Sequence, residues 1–128
     1  MDPRPNLLLV VSAILYLAGA LPLLFAPDEL LAFAGAPPSA LESALLQVIG
    51  SALFGFAMLN WLSRYSRIGG IFGRPLLVAN LAHTASAALL LGHVISRAPL
   101  SAPLAVALAF YTILAVSFGL KLFARSPA

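Results

Sequence analysis

The stretch Pro75–Ser96, PLLVANLAHTASAALLLGHVIS, decides the fold of this 128-residue chain. A bilayer-spanning helix needs about 20 mostly apolar residues, and this run supplies them. Yet it also carries Asn80, His83, Thr84 and His93. Working outward, three further runs of comparable length and apolarity surround it. The expected spans are about residues 6–26, 40–63, 75–96 and 104–124.

Composition supports the same solvent. Hydrophobic residues make up 62% of the chain and charged residues 9%, with a mean hydropathy of +1.03. Soluble domains carry roughly a quarter charged residues, so this chain could not cover a water-facing surface. Cysteine is absent, which removes disulfides, CxxC redox chemistry, thiolate metal sites and cysteine nucleophiles together. The expected fold class is therefore all-α: an integral membrane four-helix bundle forming a single domain.

The connecting segments have their own signals. Asn6 to Ala26 follows a basic start at Arg4, as a signal peptide would. The run is long, however, and Pro27 follows its best small-residue site, Ala26, so it reads as a retained membrane helix. Gly19 and Pro22 inside it predict a kink. Residues 27–35 (PDELLAFAG) read as a short interfacial helix, with Pro27 at its first position, Asp28 and Glu29 at its positive start and Gly35 at its end. Ser39-Ala-Leu-Glu42 has the spacing of a capping box. A tight turn around Ser101 and Pro103 precedes the last span.

Charge predicts orientation. Arg4, Arg64, Arg67, Arg74, Lys121 and Arg125 fall on one side of the expected spans. Arg97 falls on the other, with Asp28, Glu29 and Glu42. The positive-inside rule then puts both termini and the central loop in the cytoplasm. Seven basic residues spread over loops do not form a nucleic-acid patch.

The polar residues inside the spans are the candidates for function. Asn80, His83, Thr84 and Ala87 share one face of the third helix, and such a face turns into a bundle or a cavity rather than into lipid. Tyr16, Ser51, Tyr111 and Thr112 fall near the middle of their own spans, so a midplane cluster of Tyr16, His83 and Tyr111 with Ser51 and Thr112 is one arrangement the sequence permits. The candidate ligand-binding set is Asn80, His83, Thr84, Ser51 and Tyr111. His83 admits two readings: a proton carrier or ligand group, or a neutral histidine bonded to a neighbouring helix with no embedded acid to partner it. His83 and His93 stand about 15 Å apart along the helix and about 80° apart around it, so they cannot share one metal. No metal and no cofactor is expected.

Other residues have plainer expectations. Gln47 and Ser51, four apart, have the spacing of an interhelical hydrogen-bonding face. Asn60, beside Trp61, reads as a capping or interfacial group. Gly69, Gly70 and Gly73 lie among arginines, but no Lys-Ser/Thr pair follows them, so the pattern is not a P-loop. No HExxH, acidic metal cluster or serine–histidine–acid set occurs. Small residues at Gly50, Ser51 and Gly55, and at Ala79, Ala82 and residues 85–88, allow close helix approach.

The stretches LFAPDELLAFAG (residues 24–35) and GSALFGFAMLNWLSR (residues 50–64) resemble small bacterial inner-membrane proteins with four helices and, more loosely, the DoxX-like group. That resemblance implies an accessory or membrane-partner role and carries no functional residue with it. The leading expectation is a non-catalytic membrane protein, either an accessory subunit of a membrane complex or a binder of an apolar, lipid-like molecule. Its partners would be membrane lipids, other membrane proteins or a second copy of the chain, with no nucleic acid among them. The alternative is a small membrane enzyme acting on a lipid-like or polyketide/terpenoid-like substrate. There His83 would be the acid/base, oriented by Tyr16 or Tyr111. A small transporter ranks third, because no span holds a carboxylate.

Overall fold

Helices alone build the regular structure of the described residues, 4–71 and 73–124 of a computed structural model. Arg125, one of the basic residues used for the orientation, lies outside them. Four helices are long and apolar enough to cross a membrane: α1 (Leu7–Phe25), α3 (Ala40–Leu62), α4 (Gly73–Arg97) and α5 (Ala102–Phe123). With 19 to 25 residues each, they reach about 28 to 38 Å at 1.5 Å per residue, against a hydrocarbon layer of about 30 Å. The chain is a multi-pass membrane protein of all-α class. The short α2 (Pro27–Phe33) follows α1. The chain divides into two compact units, one over Arg4–Tyr65 and one beginning at Ser66.

In the first unit, α1 and α3 run antiparallel in a continuous register. Asn6 caps α1 with its side-chain oxygen, which accepts from the Leu8 and Leu9 amides at 3.0 and 3.4 Å. Its own amide donates to the Arg64 carbonyl at 2.6 Å. Further along, Ser12 faces Asn60, Tyr16 faces Phe56, Leu23 and Leu24 meet Gly50, and Leu24 meets Gln47. Each step toward the end of α1 is matched by a step toward the start of α3. The buried positions of α1 (Leu9, Ser12, Ala13, Tyr16 and Ala20) fall on one helical stripe. Those of α3 (Gly50, Leu53, Ala57 and Asn60) do the same. The helix α1 continues through Pro22 to Phe25.

The short α2 is built as its sequence predicts. Pro27 occupies the first turn, where no amide partner is needed, and Asp28 and Glu29 lie at the positive end of the helix dipole. Its far end closes in a Schellman motif. The Ala36 amide donates to Leu31 and the Gly35 amide to Ala32, while Gly35 takes φ +76°, the left-handed conformation that glycine adopts without penalty. The Ser43 hydroxyl donates to the Asp28 carboxylate, tying α2 to the first turn of α3. Ser39 caps α3, accepting from the Glu42 amide in a long bond of 3.5 Å.

In the second unit, consecutive turns lead into α4. Gly70 donates to the Arg67 carbonyl, and Gly73 and Arg74 both donate to that of Gly70. The helix begins at Gly73, two residues before the expected start, because Pro75 sits comfortably within a first turn. The same correction applies to α5. Ser101 is its cap and Pro103 lies inside its first turn, so the helix starts at Ala102 rather than Leu104. The α4 and α5 helices pack along Leu81 and Gly119, where a side chain at 119 would meet Leu81 at 3.7 Å.

Candidate functional site

Most polar side chains within the spans turn back onto their own helices. Ser51 donates to Val48 at 2.7 Å, Ser86 to Ala82 at 2.7 Å and Ser117 to Ile113 at 2.7 Å. Asn80 donates to Leu76 at 2.9 Å, and Thr84 to Asn80 at 2.8 Å. Backbone carbonyls three or four residues earlier are the nearest acceptors a hydroxyl finds in an apolar surrounding. Ser51 therefore does not share the interhelical role expected of it with Gln47. The Gln47 amide does reach across, donating to the Leu24 carbonyl at the end of α1 at 3.1 Å. That carbonyl lies in the last turn, where helical donors have run out.

The residues expected at the midplane fall in both units. In the second, His83 and Tyr111 meet edge to face, with ring centroids 5.6 Å apart and planes at 78°. Tyr111 is also edge-on to Phe110 at 5.1 Å. His83 is half-buried, whereas Asn80 and Thr84 on the same face are fully buried. In the first unit, Tyr16 is fully buried and packs on Phe56 at 5.8 Å. Ser51, Thr112 and His93 are exposed. No group of three or more histidine, aspartate or glutamate residues among the described residues has metal-binding geometry.

The structure assigns Asn60 a different role from the capping or interfacial one expected. It is fully buried, and its amide donates to the Ser12 hydroxyl across the α1–α3 contact at 2.9 Å. Ser12 in turn donates to the Leu9 carbonyl at 3.1 Å. Asn60 lies three residues beyond Ala57 and ten beyond Gly50, so it continues the small-residue stripe of α3. That spacing is the sequence signal that could have found it.

A concave feature lies beside this contact. An apolar groove of about 340 Å³ is lined by Ala13, Ile14 and Leu17 of α1 and by Ala57, Met58 and Trp61 of α3. Each helix contributes positions i, i+1 and i+4, one turn of surface. Ala13 and Ala57 are almost fully buried and form the floor. Ile14, Met58 and Trp61 stand exposed as the walls. The volume falls at the lower end of the range for small-molecule sites. Apart from Trp61, these residues carry no polar mark, and nothing in their sequence distinguishes them from other apolar positions.

At the Trp61 end of the groove stands Arg64. Its guanidinium lies 4.3 Å from the Trp61 ring centroid and 4.8 Å from that of Tyr65. One of its nitrogens donates to the Trp61 carbonyl at 2.6 Å. A cation at a helix C-terminus is favoured by the dipole, and the stacking adds a cation–π attraction. No protein-family model, curated protein or solved structure matches this chain.

Proposed function

We propose that this protein acts without catalysis in a bacterial inner membrane, binding an apolar, lipid-like molecule in the groove between α1 and α3. The observation that carries this reading is the groove itself: a floor of two buried alanines and walls of exposed, predominantly apolar side chains. The hydroxyls bound to their own helices agree with it, since they do not converge on a reacting centre. The distribution of basic residues supports cytoplasmic termini. In this role the chain would serve as a lipid-binding accessory to other membrane proteins.

The test is purification from native membrane in mild detergent, followed by mass spectrometry of retained molecules. The wild-type chain is expected to retain a lipid-like molecule. The double variant Ile14→Phe, Met58→Phe, which fills the groove from its exposed walls, is expected to lose at least most of it. Equal retention by both proteins overturns the groove as the site.

A second reading rests on the edge-to-face pair of His83 and Tyr111. An enzyme acting on a lipid-like substrate would use His83 as the acid/base, with Tyr111 orienting it. Positioned acid/base groups contribute about 10²- to 10⁴-fold to a rate. A His83→Gln variant that leaves the host's lipid profile unchanged, at normal expression, removes this reading.

A further inference from the structure

We propose that the groove selects anionic phospholipids, holding an acyl chain between α1 and α3 and the phosphate headgroup at Arg64. The inference rests on the groove reading above and adds the headgroup chemistry to it. Three observations carry it. The first is continuity: Trp61 is both the end wall of the groove and the ring against which the Arg64 guanidinium stacks. Arg64 follows one turn after Trp61, so chain and headgroup positions form one path. From Ala57 to Arg64 that path rises about 10 Å, from apolar wall to charged end.

The second observation concerns depth. Arg64 lies beyond the end of α3 at Leu62, next to the chain's single tryptophan. Tryptophan favours the headgroup level of a bilayer, and a guanidinium there meets phosphates rather than acyl chains. The Asn6 amide, bonded to the Arg64 carbonyl, fixes the start of α1 at the same level.

The third is charge separation within the unit. Its described acids, Asp28, Glu29 and Glu42, sit at the starts of α2 and α3. The antiparallel register puts them at the opposite end of the α1–α3 pair from Arg64. Asp28 is moreover engaged by Ser43. No carboxylate of that set competes for the guanidinium, whose planar fork of donors suits a phosphate. Net negative lipid is therefore favoured over zwitterionic lipid, whose own cation would face Arg64. One basic residue at a membrane surface corresponds to about a fivefold preference.

Trp61 supplies the probe, since it is the only tryptophan in the chain. Full-length protein is reconstituted in phosphatidylcholine bilayers containing a low fraction of phosphatidylglycerol or phosphatidylcholine with brominated acyl chains. Bromine quenches tryptophan on contact, so quenching reports occupancy of the groove. The expected result is that brominated phosphatidylglycerol quenches Trp61 with about fivefold higher apparent affinity than brominated phosphatidylcholine. Arg64→Gln is expected to bring that ratio close to one, and high salt to lower it in the wild type. A wild-type ratio of one overturns the headgroup assignment. If quenching by both lipids still falls in Ile14→Phe, Met58→Phe, the groove reading survives that failure. If the filled variant is quenched like the wild type, the groove reading fails with it. A ratio that persists in Arg64→Gln also overturns the proposal, by assigning the preference to other residues.

Discussion

Replacing Gly73 by alanine is expected to cost about 3 kcal/mol of stability, because an added methyl group has no room there. A Cβ at this position would collide with the Arg67 carbonyl oxygen and lie 2.7 and 2.8 Å from the Ile68 Cα and carbonyl carbon. All three are backbone atoms, so no rotamer change relieves the contact and the turn itself must open. Opening it would strain the bonds from Gly73 and Arg74 to the Gly70 carbonyl that start α4. Gly70 offers a control within the same loop. Its added Cβ would stand 3.3 Å from the Arg67 oxygen, and a shift of a few tenths of an ångström accommodates it. Gly70→Ala should cost under about 1 kcal/mol. Denaturant titration in mixed micelles, read by helical circular dichroism, measures both. A Gly73→Ala midpoint equal to the wild type would mean that the chain does not turn as described. Gly73, in a loop surrounded by arginines, thus has a steric reason that owes nothing to phosphate binding.

The second large effect is expected at Gly50. A Cβ there would lie 2.9 Å from the Leu23 Cβ and 3.1 Å from the Leu24 amide nitrogen. Gly50→Leu must therefore push α1 and α3 apart near their Leu23–Gly50 contact, at about 1 to 3 kcal/mol for overpacking. Gly55, five residues later on the same helix, has nothing within 4 Å of an added Cβ. Gly55→Leu should fall within about 0.5 kcal/mol of the wild type. The pair is informative because both glycines belong to the small-residue run of α3, and only one is part of a helix contact. Equal effects at the two sites would contradict the α1–α3 register. The expected fall at Gly50 should be accompanied by weakening of the Ser12–Asn60 bond, since both lie on the same seam.

Several polar residues show how far sequence could lead toward a site. The spacing of Asn80 and Thr84 places them on one helical face, and both are indeed buried. Each, however, donates a hydrogen bond to the backbone of α4, a choice that helical spacing leaves undecided. Ser51 and Gln47 share a spacing but have different outcomes, because only the longer amide reaches the Leu24 carbonyl. Asn60 was hidden by its neighbour. Beside Trp61 it reads as a capping or interfacial group, while the register of α1 brings Ser12 opposite it.

The sequence by itself determined the membrane class, the four long helices and the short α2, with boundaries within two residues of those observed for the long helices. These follow from local quantities: run length, apolarity, prolines in first turns and glycine at a helix end. Only the tertiary structure decided which faces meet, that Asn60 bonds Ser12, that His83 meets Tyr111, and that Ala13 and Ala57 floor a groove ending at Arg64. The physical reason lies in the solvent. In water, the buried face of a helix is marked by its apolarity; in lipid, both buried and exposed faces are apolar. Faces are then chosen by size and shape across a contact, which one helix's sequence does not contain.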